Sequence, residues 1–223
     1  MIIRHAYKHT YSGLCRSSPK GAFTLAEVLI TLIIIGVIAA ITISTLINKA
    51  NDDQLTSAWK EGYSILAQAT SAAIADNGCP LTGFTNGNAM KDTFKPYLKY
   101  IRECNGGSIG ACWPSGMKTA NGGSTIAWAD NAGLVLSNGM YVRVYWQTPN
   151  CANMMYYSTG ECGEFQMDVN GSKSPNVLGR DIFVVHVLKD SIQPAGGPKS
   201  LGIMSAASCS TVGPGCSADN LYE

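Results

Sequence analysis

Charge is scarce in this 223-residue chain. Asp, Glu, Lys and Arg make up 14% of it and nearly cancel, leaving a formal +1. No Lys/Arg stripe runs along the sequence that could follow a phosphate backbone, so composition gives no nucleic-acid partner. Histidine is scarcer still: His5, His9 and His186 are the whole set. Motifs that carry common enzyme chemistry are missing too, with no GxSxG, P-loop, HExxH or dinucleotide fingerprint. His186, inside the run FVVHVL at 183–188, therefore reads as an ordinary strand-face histidine rather than a general base, and no catalytic residue is expected. Internal repeats and blocks of like charge are also lacking.

Apolar residues are abundant, at 46%, which is enough for the core of one medium or two small domains. Their distribution is uneven. Residues 23–43 read FTLAEVLITLIIIGVIAAITI, with Glu27 as the one charge. At ~1.5 Å per helical residue this run spans the ~30 Å hydrocarbon core of a bilayer. The residues before it contain Arg4, Lys8, Arg16 and Lys20 and no acid, whereas Lys49 is followed by Asp52 and Asp53. That bias predicts a single pass through the membrane, with the N-terminus in the cytoplasm and everything after residue 48 outside. A secretory signal peptide would have a shorter apolar region and a small-residue cleavage site behind it. Here the small pair Gly21-Ala22 lies in front, so a cut there removes a basic leader and leaves the helix on the mature chain.

The segment KGAFTLAEVL at 20–29 resembles the prepilin-type cleavage and methylation segment of type IV pilins and of type II secretion pseudopilins. The resemblance covers roughly residues 16–75. It implies cutting by a membrane-embedded prepilin peptidase on the cytoplasmic side, N-methylation of Phe23, and assembly of the chain with copies of itself by inner-membrane machinery. The filament would be periplasmic or extracellular. Cleavage after Ala22 makes Glu27 the fifth mature residue, as that family's pattern requires; cleavage after Gly21 would make it the sixth. Ala22 stands where the family usually has Gly, and Ser44 where many pilins have Pro, so a Pro-induced kink is not available, while Gly36 and the Thr42/Ser44/Thr45 cluster could loosen the helix locally.

Glu27 has a physical case of its own. A carboxylate one turn into a membrane helix costs several kcal/mol unless compensated, with ~2.5–3.5 kcal/mol for an acid at the helix centre and less near the interface. The α-amino group that cleavage creates at Phe23, on the same chain or a neighbour, is the nearest available cation. Pairing between subunits would fix the stagger of packed helices, because a buried charge disfavours every register that leaves it unpaired. The rival reading is a non-assembling membrane-anchored surface or adhesive protein, for which neither Glu27 nor a cleavage site ahead of the span has a use.

Beyond the span the helical signal changes character. Leu55, Trp59, Tyr63, Leu66, Thr70 and Ala73/Ile74 recur at spacings of three and four. The helix is predicted to run over 23–75 and to stop at Asp76-Asn77-Gly78. Its first half is apolar all round and its second half carries one stripe on which a head can dock. The head is expected to be α+β: a short helix over 89–101 interrupted by Pro96, a Gly-rich loop, a hairpin over 133–146 turning at Asn138-Gly139, and strands at 164–169 and 181–188. Four or so antiparallel strands packed on a long helix make a pilin-like two-layer domain. The expected divisions are a removed leader at 1–22, a transmembrane half at 23–48, an amphipathic half at 49–76 and an exported head at 77–223. The Gly/Ser/Pro-rich tail from Pro194 reads as loop.

Cysteine usage fits export. Cys15 leaves with the leader, and Cys79, Cys104, Cys112, Cys151, Cys162, Cys209 and Cys216 remain. Three bridges and one thiol among seven cysteines allow 105 arrangements. The loop-closing pairs Cys104–Cys112, Cys151–Cys162 and Cys209–Cys216 are the expected ones, and without a CxxC zinc is disfavoured. Lastly, Asp168, Asn170 and Asp181 offer oxygen ligands on a Gly-bearing loop, as a structural Ca²⁺ would need. That loop lacks the acidic density of an EF-hand and contains Lys173 and Arg180. The competing expectation is a turn in which Asp168 caps loop amides and pairs with Arg180. No other cofactor is expected.

Overall fold

The structure is a computed structural model that describes residues 21–78, 81–106, 111–114, 116–118, 132–146, 148–152 and 160–195. It divides into two compact units, Met1–Ile47 and Asn48–Glu223. Helix α1, Leu25–Asn77, runs through the boundary without a break at Gly36 or Ser44. It starts two residues later than the apolar pattern predicts, because Thr24 caps it, and ends two residues later. The stop is the one its sequence encodes. Gly78 takes a left-handed φ of 81° and its N–H donates to the Ile74 carbonyl at 2.9 Å, closing the last turn.

The second unit is α+β. Helix α2, Gly87–Phe94, begins at Asn86, whose side chain accepts from the Ala89 N–H. A single 3-10 turn, Lys95–Tyr97, follows and takes Pro96. The expected short helix over 89–101, interrupted by Pro96, is corrected here: the α-helix ends at Phe94. Pro96 has no N–H to continue the α-helical ladder, and the chain instead enters strand β1, Tyr100–Cys104. Strands β2 (Ala132–Leu136), β3 (Tyr141–Trp146), β4 (Glu161–Asp168), β5 (Ile182–Leu188) and β6 (Ile192–Pro194) complete a sheet in simple sequential order, antiparallel throughout. The hairpin between β2 and β3 turns at Ser137-Asn138-Gly139, with Gly139 at φ 88° and its N–H donating to the Leu136 carbonyl.

Strand alternation divides the sheet into two chemically different faces. One face presents Leu134, Leu136, Val142, Val144, Phe165, Met167, Phe183, Val185 and Val187 to α1 residues Trp59, Leu66, Ala69 and Ala73. Trp59 is fully buried, stacked on Phe183 at 4.7 Å between ring centroids and edge-on to Tyr63 at 5.6 Å. Phe94 of α2 meets Phe165 edge-on at 4.9 Å. The other face is polar, with Arg143 opposite Gln166 and, in the next row, Tyr145, Glu164, His186 and Gln193 in register.

Candidate functional site

The processing segment is built from the helix start. Gly21, Ala22, Phe23 and Thr24 are exposed and non-helical, so the Ala22–Phe23 bond lies outside α1. Thr24 and Glu27 form a reciprocal capping box. The Glu27 N–H donates to Thr24 Oγ1 at 3.3 Å, while the Thr24 N–H and hydroxyl both donate to Glu27 Oε2 at 2.8 Å. Sequence reading placed Glu27 as the assembly residue and passed over Thr24. The signal that could have found it is the Thr-x-x-Glu spacing directly ahead of an apolar run.

Every large apolar side chain from Phe23 to Ile47 is exposed, fifteen in all. At ~1.5–3 kcal/mol each, leaving them in water would cost tens of kcal/mol, so lipid or other helices must cover them. The helix is long and apolar enough to cross a membrane. Its hydroxyls suit that setting: Thr31, Thr42, Ser44 and Thr45 each donate to a carbonyl three or four residues earlier.

In the head, Cys104 is bonded to Cys112 and Cys151 to Cys162. The first bridge ties the end of β1 to the following loop beside Val135; the second lies in the main core at the start of β4. The expected Cys209–Cys216 pair, Cys79 and Cys15 fall outside the described residues.

The Asp168 loop is a turn organised by Asp181. Asp181 is fully buried; its Oδ1 accepts from the Val177 N–H at 2.6 Å and its Oδ2 from the Asn176 N–H at 2.8 Å and from Asn170 Nδ2 at 3.1 Å. Asp168 caps the Asn170 N–H at 3.1 Å. Burial first, and the neighbouring Asp181 second, push the Asp168 carboxyl up to about 8. The expected Asp168–Arg180 pair does not form. Arg180 instead reaches Asp52 of α1 at 3.1 Å, leaving the buried acid to the loop amides. Asp168 Oδ2, Asn170 Oδ1 and Asn176 Oδ1 are buried there without a hydrogen bond. Three open side-chain oxygens are fewer than the six to eight that Ca²⁺ prefers, and the N–H groups aimed at Asp181 oppose a cation, so these residues fit the ion poorly. Among the described residues no group of three or more His, Cys, Asp or Glu could hold a metal.

His186 is fully buried on the polar face of the sheet, its Nδ1 at 2.6 Å from Glu161 Oε1. Beside them Glu164 is raised to about 7, chiefly by burial. A cavity of about 780 Å³ lies elsewhere in this unit, between α1 residues Asn51, Gln54, Leu55 and Ala58 and the loop around Lys173, and neither Glu161 nor His186 lines it.

Among the comparisons with known proteins, no curated protein and no solved structure matches the chain. The model of the prokaryotic N-terminal methylation motif matches residues 17–43, a stretch that contains Gly21, Ala22, Phe23, the Thr24–Glu27 box and the whole apolar run at 23–43. The chain therefore carries the signature of type IV pilins and pseudopilins, that of a membrane-anchored precursor processed by prepilin peptidase.

Proposed function

We propose that this chain is a structural subunit of a type IV pilus or a type II secretion pseudopilus. It is inserted in the inner membrane with its basic leader in the cytoplasm, cut between Ala22 and Phe23, methylated on the new amino group and assembled through α1. Residues 23–48 are the membrane-resident part before assembly, residues 49–76 carry the docking stripe, and residues 77–223 form the exported head. The role is one of packing rather than catalysis.

Glu27 carries this reading. It is the one charge among fifteen exposed apolar side chains, in the first turn of α1 and four residues beyond Phe23, whose bond to the exposed Ala22 is non-helical. In lipid such a carboxylate is costly, and the amino terminus released by cleavage is the cation that can offset it. When identical helices pack side by side, the pair selects the register in which each acid meets a terminus.

The test uses the full precursor expressed with its assembly machinery. N-terminal sequencing of the membrane-associated protein is expected to begin at methylated Phe23. Glu27→Ala is expected to be exported and cut normally but to give no filaments in the sheared fraction. Normal filaments from Glu27→Ala, or a dispersed protein that still starts at Met1, would overturn the proposal in favour of a simple anchor.

A further inference from the structure

We infer that the cavity between α1 and the loop after β4 is a binding site for the head group of an anionic phospholipid, a phosphodiester that carries free hydroxyls. The inference rests on the membrane insertion proposed above and not on filament assembly.

At about 780 Å³ the cavity has the size of a small-ligand site, for which ~300–1,000 Å³ is usual. Its charge is one-sided: Lys173 and Arg180 line it, and no acid does. Asp52, the sequence neighbour of Asn51, is taken up by Arg180 at 3.1 Å. Asp168 and Asp181, at the two ends of the loop, are fully buried, and the Asp181 carboxylate already accepts from the Val177 and Asn176 N–H groups and from Asn170 Nδ2. Lys173 is exposed and, among the described residues, has neither an ion pair nor a hydrogen bond, so its ammonium is left to attract an anion.

The rest of the lining narrows the anion. Asn51, Gln54, Ser172 and Ser174 bring amides and hydroxyls that both donate and accept, and among the described residues their side chains hold no partner. Phosphate oxygens use only the donors, whereas head-group hydroxyls use both. Leu55 and Ala58, packed against the core, add an apolar wall that suits glycerol carbons and is wasted on a bare inorganic phosphate. Position selects a lipid source. Asn51 follows Ile47, the last large exposed apolar residue of the run, by four residues, ~6 Å along a helix. The polar layer outside the hydrocarbon core is ~5–8 Å deep on each side, so a span ending near residue 48 brings Asn51 and Gln54 to the level of the phosphates. A ligand resident in the bilayer reaches such a site without leaving it.

The test places the full-length chain in nanodiscs of phosphatidylcholine, with and without phosphatidylglycerol, and identifies the lipid that stays bound by native mass spectrometry. Phosphatidylglycerol is expected to be retained over phosphatidylcholine, about fivefold less in Lys173→Ala, and undiminished in Lys60→Ala, an exposed lysine outside the cavity. Insertion without a preference for phosphatidylglycerol, or equal losses in Lys173→Ala and Lys60→Ala, overturns the site and spares the membrane reading. Soluble glycerol phosphate binding as tightly as the lipid, measured by calorimetry on the chain in phosphatidylcholine discs, would assign the cavity to a free phosphate and overturn the lipid assignment. Failure to insert into either disc would remove the membrane reading and the site together.

Discussion

The two halves of α1 share one backbone and opposite surroundings. From Leu25 to Ile47 the helix exposes every large apolar side chain it has. Further along, the same helix buries Trp59, Gly62, Leu66, Ala69, Thr70 and Ala73, all on one stripe. Helix propensity does not separate them, since both are unbroken. The difference lies in how apolar residues are spread around the axis: all round in the first half, on one side in the second. The second half is stabilised by its own head, whereas the first half needs lipid or other helices to cover it.

The largest test of that contrast is a pair of truncations. Trp59→Ala removes a fully buried ring from the centre of the core and is expected to lower head stability by ~3–5 kcal/mol, read by calorimetry on the full chain in detergent. Ile34→Ala, in the exposed half, is expected to leave the same transition where it was. Comparable losses in both would mean that the first half shares the head's cooperative unit, and the contrast would collapse.

Much of this could be read from the sequence, and the reason is periodicity. The switch from an all-round apolar run to a stripe at Leu55, Trp59, Tyr63 and Leu66 is a local pattern, and so is the Asn77-Gly78 stop. Short elements defined by partners were not legible. Strand β1 was read as the end of a helix because Tyr100 and Ile101 continue an apolar pattern, and only pairing with β2 makes them a strand. Strand β6 has three residues and is defined by its register against Val185, His186 and Val187. At the site, Glu27 announced itself by being a charge in an oily run. Thr24 did not, because a threonine ahead of a helix is unremarkable until its hydroxyl is seen to close a ring with that acid. Arg180 was assigned to Asp168 by nearness in sequence, and Asp52 competes for it from 128 residues away.

Acidity is expected to act on the head alone. Glu164 is raised from 4.5 to about 7 by burial, with Glu161 pushing it further and His186 and Arg143 pulling it back. A carboxyl whose folded value lies above its unfolded value binds protons more tightly when folded, so its contribution is complete below about 4.5 and is lost as pH rises through about 7. Asp168, also raised, acts in the same direction. Between pH 5.5 and 8.5 the head should therefore lose on the order of 2–3 kcal/mol through Glu164, with the circular-dichroism signal of the lipid-covered helix unchanged. Glu164→Gln should flatten that slope by raising stability at the alkaline end. A slope that survives the substitution would assign the effect to other groups.

The smallest expected effect comes from two glycines on the same helix. At Gly62 an added Cβ would overlap the sulfur of Met167 and lie 3.3 Å from that of Met140, with both methionines buried in the core. Met167 can move only by disturbing packed neighbours, so Gly62→Ala should cost ~1–2 kcal/mol of head stability after the helix's own gain is counted. At Gly36 a Cβ meets nothing within 4 Å. Gly36→Ala should leave the head transition unmoved and add up to ~1 kcal/mol to helix stability, seen as slower hydrogen exchange around residue 36. Since the subunit's own atoms leave that position open, a filament defect in Gly36→Ala with an intact head would locate the missing contact in a neighbouring helix, and normal filaments would show that close helix approach happens elsewhere along the span.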